Sequence, residues 1–249
     1  MSQATPTIDE DNTLIALLAG SAVFFLLCWR IDVLINDSYV FGNTLIALRN
    51  GQLRITKLVY VGLIPAQPGL YVSDGAIYGR NYGQVFFALP VLLALQGVAQ
   101  FIDPMIVISG TWSLLIILFV NKVQKICGFS QTVSYTGAVV ALLLFGVNLW
   151  LLQPISRNWY PHMALQLTSV ATATATVGIV YKLGTVVASK RIGVCAGGLA
   201  ALASPVGFWA TLSKRHTVTG FLALLCLYVL FQSRAAVSQQ TAFRYRILT

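Results

Sequence analysis

After Asp103 the chain has no carboxylate, and its remainder is a succession of apolar runs joined by short polar or basic connections. Burying such runs in a water-soluble core would demand far more polar surface than is present. Hydrophobic residues make up 57% of the chain, charged residues 9%, and the mean hydropathy is +0.78. Several runs reach the roughly 20 helical residues needed to cross a hydrocarbon core of about 30 Å. The expected fold class is therefore all-α, a polytopic bundle of membrane helices.

Six spans are expected, at residues 13–35, 104–120, 131–152, 164–188, 192–212 and 217–231. The first run is preceded by Asp9, Glu10 and Asp11 rather than by a basic segment, and no small-residue cleavage site comes after it. It reads as a retained span, not a signal peptide. Residues 36–103, interrupted by Pro65, Pro68, Gly69 and Gly75, form a long first outer loop. Six spans put both termini on one side. With that side cytoplasmic, Lys122, Lys125, Lys190, Arg191, Arg234, Arg244 and Arg246 all fall inside, as the positive-inside rule favours. The expected organisation is an acidic cytoplasmic segment (1–12), a membrane domain (13–232) and a basic cytoplasmic tail (233–249), in the cell membrane.

Residues 84–101, "QVFFALPVLLALQGVAQF", are apolar for long enough to be a seventh span. Pro90, Gln96 and Gln100 suit an interfacial or re-entrant helix instead. Counting the segment as a span would move Lys122, Lys125, Lys190 and Arg191 outside, so the charge rule favours a helix within the loop.

Some chemistries find no support. Cys28, Cys127, Cys195 and Cys226 are single and widely spaced, in neither a metal pattern nor a disulfide framework. His162 and His216 are too few and too far apart for a metal motif, so no metal or other cofactor is expected. The net charge of +9 is dispersed between apolar runs without a soluble basic domain, which argues against nucleic acid and for anionic membrane lipid.

On the expected topology, cations remain on the outer face: Arg49, Arg54, Lys57 and Arg80 in the first loop, Arg157 with His162 in the second, and Lys214, Arg215 and His216 in the third. Lysine and arginine near span ends can simply snorkel to the interface. Three loops converging with positive charge would equally suit a phosphate-bearing lipid head group. Asp37 comes directly after the first span and precedes Val40, Phe41, Leu45 and Leu48, spaced as on an amphipathic helix at the membrane surface. Asp37 can be read as that helix's cap or as a partly desolvated general base. Asp74-Gly75 marks a turn, with Tyr78, Arg80 and Tyr82 leading into an apolar helix. Trp159 and Tyr160 fit an aromatic belt.

The order of these pieces resembles the GT-C class of membrane glycosyltransferases, in particular the dolichyl-phosphate-mannose mannosyltransferase and aminoarabinose-transferase-like proteins of prokaryotes. The resemblance rests on a first span followed by Asp37, an amphipathic helix closing in "LRNGQL", the segment "DGAIYGRNYGQVFFALP", and a second span ending in basic residues. "SPVGFWATLSKRH" is similar to segments of archaeal members, notably from halophiles. The resemblance implies that Asp37 is the catalytic base, and that Asp74, Tyr78, Arg80, Tyr82, Arg157, His162, Lys214, Arg215 and His216 serve substrate binding. It implies a polyprenyl-phosphate sugar as donor on the extracytoplasmic face. Asn81-Tyr82-Gly83 stands where such proteins carry a proline pair. Members of that group usually have many more spans, so the chain resembles their amino-terminal half, and a second membrane chain completing the fold is one implied partner.

Two other classes stay open. A non-catalytic membrane partner would use the small-residue stretch "SVATATATVGIV" as a packing face. A small-molecule transporter would need charge within the membrane; Lys182 is the best candidate, and no later span offers it a carboxylate.

Overall fold

A computed structural model describes residues 10–31, 38–60 and 71–235. Among these the chain forms nine α-helices: α1 (Glu10–Leu27), α2 (Ser38–Arg49), α3 (Tyr82–Val98), α4 (Pro104–Cys127), α5 (Gln131–Leu151), α6 (Tyr160–Val187), α7 (Lys190–Leu202), α8 (Ser204–Ala210) and α9 (His216–Ala235). The only strands among the described residues are β1 (Tyr71–Ser73) and β2 (Ala76–Tyr78), and a 3-10 turn (Arg157–Trp159) precedes α6. Four helical segments are long and apolar enough to cross a membrane: Pro104–Cys127, Gln131–Leu151, Arg157–Val187 and His216–Arg234.

Helix boundaries obey local chemistry. Asp103, the last carboxylate of the chain, caps α4 by accepting from the Met105 amide at 2.8 Å, with Pro104 in the first turn, where its missing N–H costs nothing. Gly128, at φ 66°, closes the same helix in the left-handed conformation. The expected span at 192–212 is not one helix. It breaks at Ala203, because Pro205 cannot continue the hydrogen-bond ladder of α7, and α8 restarts with that proline in its first turn. Neither piece is long enough to cross alone. α1 and α3 are also shorter than the four long helices.

α6 is the hub, packed against α1, α2, α3, α7, α8 and α9. Five of its hydroxyls are satisfied within the helix: Thr168, Ser169, Thr172, Thr176 and Thr185 each donate to the carbonyl four residues earlier. Small side chains allow close approach. A methyl on Gly193 would lie 2.6 Å from the Tyr181 carbonyl, and one on Gly178 would lie 3.0 Å from Leu18. The small-residue stretch of α6 therefore packs against α1, α7 and α8 of the same chain.

Pairings along the helices define two ends of the bundle. Lys122 donates to Asn12 at 2.7 Å, and Trp112 donates to the Val23 carbonyl at 3.1 Å, so α1 and α4 run antiparallel. Gln166 near the start of α6 meets Trp29 and Arg30 just beyond α1, so those two are antiparallel as well. One end thus gathers the close of α1 and α5 with the start of α4 and α6. Lys122, Lys125 and Lys190 belong to the opposite end.

Candidate functional site: a cationic cavity opening on an apolar groove

α2 was expected at the membrane surface, but it is buried on most of its circumference, including Ser38, Asn43 and Thr44 as well as Val40, Phe41 and Leu45. Its polar side chains are used by the loops around it. The Asn43 carboxamide accepts from the amides of Val59 and Tyr60 at 2.9 and 3.0 Å and donates to the Tyr60 carbonyl at 2.9 Å. One side chain thus fixes the loop after α2. A methyl on Gly42 would come within 2.8 Å of both the Tyr60 and His162 rings, so glycine lets the helix seat on them.

The next wall is a hairpin. β1 and β2 pair antiparallel with Ser73 opposite Ala76, leaving Asp74-Gly75 as a two-residue turn at φ 51° and 72°. Positive φ at both positions is the geometry for which Asp-Gly is favoured in tight hairpins. Tyr78 and Tyr82 then tie this segment down. The Arg54 guanidinium donates to the Tyr78 hydroxyl at 3.1 Å, and the Tyr82 hydroxyl donates to the Leu53 carbonyl at 2.7 Å while accepting from the Gly79 amide. A methyl on Gly79 would lie 1.8 Å from the Thr44 hydroxyl, so only glycine lets the chain pass α2 here. Arg80 and Asn81 come next, and Asn81 adopts φ 56° immediately before α3. Asparagine tolerates that left-handed conformation better than most residues.

The opposite wall comes from the turn between α8 and α9. Leu212 and Ser213 are buried, and Lys214 is 6% exposed with its ammonium 5.6 Å from the Phe41 ring, a cation–π distance. The Arg215 guanidinium donates to the Asn81 carboxamide oxygen, bridging the two walls. His216 packs against Trp209 with centroids 4.0 Å apart and ring planes tilted by 44°. Phe41, Arg80, Asn81, Lys214, Arg215 and His216 line a cavity of about 210 Å³. Among the described residues no acidic side chain lines it. A second cavity of about 530 Å³ shares Asn81, Arg215 and His216 and continues between α3 and α9 along Phe87, Val218 and Leu222. Arginine and lysine beside an apolar groove offer charge-assisted hydrogen bonds to an anionic head and a dry path for a hydrocarbon chain.

His162 lies apart from that cavity. It is fully buried in a box of Tyr60, Trp159 and Tyr39, at centroid distances of 4.3, 5.7 and 6.1 Å. Neither ring nitrogen has a hydrogen-bond partner among the described residues. The Tyr60 hydroxyl donates to the Asn158 carbonyl, and burial holds its pKa above the ordinary tyrosine value, so it stays a neutral donor. The box ties the loop after α2 to the start of α6.

Of the residues singled out by sequence, the structure brings Arg80, Lys214, Arg215 and His216 to one cavity. Tyr78 and Tyr82 hold its scaffold, Asp74 forms the hairpin turn, Arg157 is exposed on the 3-10 turn, and His162 sits in the aromatic box. Asp37 lies outside the described residues. Asn43, Tyr60 and Gln166 carry no signal in the sequence; Phe41 reads there only as an apolar position of α2, and Asn81 only as a residue standing where a proline pair would be expected. No family model, no curated protein and no solved structure matches the chain.

Proposed function

We propose that the chain is a multi-pass membrane protein that binds a polyprenyl-phosphate sugar by its phosphate and transfers the sugar to an acceptor hydroxyl on the extracytoplasmic face. The observation that carries this is the joined pair of cavities, cationic at Arg80, Lys214 and Arg215 and apolar between α3 and α9. An anionic head with a long apolar tail matches both halves at once. In this reading α1 and the α7–α8 pair cross along with the four long helices, and the lysine-bearing opposite end faces the cytoplasm.

In the transfer, Asp37 takes the proton of the acceptor hydroxyl, whose oxygen attacks the anomeric carbon. The bond from that carbon to the phosphate oxygen breaks with inversion, and the polyprenyl phosphate leaves with the electron pair. Arg80, Lys214 and Arg215 stabilise the charge that grows on the leaving phosphate. The role of Asp37 comes from the GT-C resemblance. The small-residue stretch of α6, which a non-catalytic partner would present outward, is occupied within the chain, which weighs for the transferase over that alternative.

The test is sugar transfer from a panel of radiolabelled polyprenyl-phosphate sugars in membranes containing this chain alone, wild type beside Asp37→Asn. Transfer that vanishes in the variant at equal expression supports the mechanism. Absence of transfer by well-expressed wild type contradicts a transferase acting alone.

A further inference from the structure

At the same end of the bundle, between the close of α1, the start of α4 and the close of α5, lies a cavity of about 360 Å³ whose lining includes Trp29, Met105, Ser109, Trp112, Asn148 and Gln153. Its volume falls in the range of about 300–1,000 Å³ of small-molecule sites. Its chemistry differs from that of the cationic cavity, because no ionisable side chain lines it among the described residues. An anion would therefore find no counter-charge.

A cavity of nearly equal size, about 370 Å³, runs between α1, α4 and α7 along Leu17, Phe24, Phe119, Val123, Val194 and Leu202. That one suits a hydrocarbon chain. A hydrocarbon in the first cavity would instead strip water from two carboxamides and a hydroxyl, at a cost in unmade hydrogen bonds. The side chains of Ser109, Asn148 and Gln153 make no hydrogen bond to another described residue, so their donors and acceptors are open to a ligand.

The two tryptophans are fixed, and fixed inward. The Trp29 indole N–H donates to the Gln166 carboxamide at 3.0 Å, and the Trp112 indole N–H donates to the Val23 carbonyl at 3.1 Å. A tryptophan serving as a membrane-interface anchor uses its N–H toward the wet side, leaving its ring in the apolar layer. Here the N–H groups are spent inside the protein, and what the rings contribute to the cavity is rigid aromatic surface. With Leu26, Leu27, Ile108, Leu151 and Leu152 completing the lining, rigid aromatic and aliphatic surface, carboxamides able both to donate and accept, and absence of charge together describe a site for a neutral ring with an apolar face and a hydroxyl-bearing edge.

We propose that this cavity binds a neutral saccharide, free or as the head group of a neutral glycolipid. The Gln166 amide that receives Trp29 also donates to the Arg30 carbonyl at 3.0 Å, so the cavity wall is tied to the chain that leads to Asp37. Binding stands on this geometry alone. Its use as the place of the acceptor sugar rests on the transferase reading above.

The test uses the full chain in phospholipid nanodiscs free of alkyl-glycoside detergent. Methyl glycosides of glucose, mannose and galactose, with their disaccharides, are titrated and followed by saturation-transfer NMR and tryptophan fluorescence; a parallel arm dopes the discs with galactosyl diacylglycerol. Saturable binding is expected, weakened about tenfold or more in Asn148→Ala/Gln153→Ala, which removes about 1.4 kcal/mol of contact per factor of ten. Unchanged thermal unfolding of that variant shows its fold is intact. Arg215→Gln, which alters the phosphate cavity and not this one, should bind the saccharide as wild type does, so the site survives even where sugar transfer is never observed. Response only in the glycolipid arm supports the site and assigns the lipid-borne source. No response from folded wild type in either arm, equal binding by the double variant, or loss of binding in Arg215→Gln would each overturn the proposal.

Discussion

α5 and α6 are both apolar enough to cross a membrane, yet 6% of the apolar stretch of α5 is buried within the protein against 61% of that of α6. Apolar character alone therefore says nothing about which helix forms the core. Part of the difference lies in where small side chains sit. α6 presents Ser169, Thr172, Ala173, Thr176 and Gly178, which let neighbouring backbones come close, whereas α5 presents Leu142, Leu143, Val147 and Leu149 to the outside. In a bilayer, where leucine gains little by leaving lipid, packing and polar satisfaction decide association. The cationic cavity and its groove lie among α2, α3 and α9, which all pack on α6, while α5 packs mainly along α4 and its end lines the neutral cavity.

Leucine substitutions should separate the two helices most widely. Leu165 of α6 is fully buried in the cluster with Phe41, Val85 and Met163, and Leu165→Ala should cost about 2–5 kcal/mol of stability. Leu143 of α5 is 65% exposed, and Leu143→Ala should stay within about 0.5 kcal/mol. Unfolding in nanodiscs reads both, and equal losses would erase the distinction between the two helices.

A smaller effect is expected at Asn43, whose three hydrogen bonds hold the loop after α2. Asn43→Ala leaves the buried backbone groups of Tyr60 and the part-buried Val59 amide without that partner and should cost about 1–3 kcal/mol, with proteolysis near residues 59–60 increasing in step. Wild-type protease resistance in the variant would mean the loop is held by something else.

Two glycines test the contrast at finer scale, Gly193 of α7 where it meets α6 and Gly146 on the open face of α5. Gly193→Ala drives a methyl against the Tyr181 carbonyl and the Thr185 hydroxyl and should cost about 1–3 kcal/mol by parting α6 from α7. Nothing lies within 4 Å of the equivalent methyl on Gly146 of α5. Gly146→Ala should be neutral, or stabilising by up to about 1 kcal/mol through helix propensity. Thermal midpoints of the two variants shifting alike would contradict the packing described.

Much of this architecture was legible from apolar run length, because a helix needs only continuity and caps that sequence displays, such as Asp103-Pro104 and Gly128. The break at Ala203 was not, although Pro205 carried it, since hydropathy across the run is uninterrupted. The Asp74-Gly75 turn was visible, but the two short strands were hidden by their three-residue length. The spacing of Val40, Phe41, Leu45 and Leu48 reads as an amphipathic surface helix; in the fold its polar side is covered as well, because Asn43 spends its bonds on backbone. At the candidate site, the cations before α3 and before α9 were each visible, and their meeting across Asn81 depends on tertiary geometry. Arg157 and His162 lie close in sequence yet separate in space: the helix that starts at Tyr160 turns His162 into the aromatic box and leaves Arg157 outside.

Whether the cationic cavity and its groove hold a lipid phosphate is decided most directly by the binding of polyprenyl monophosphate, beside uncharged polyprenol, to the full chain in nanodiscs. Saturable binding of the phosphate and far weaker binding of the alcohol are expected. Lys214→Met/Arg215→Gln should weaken the phosphate complex by about tenfold or more, since a hydrogen bond to a charged group contributes about 1.5–3 kcal/mol, whereas Arg157→Gln should leave it unchanged. Equal affinity for the two lipids, or a double variant that binds the phosphate as tightly as wild type, would contradict a phosphate site there.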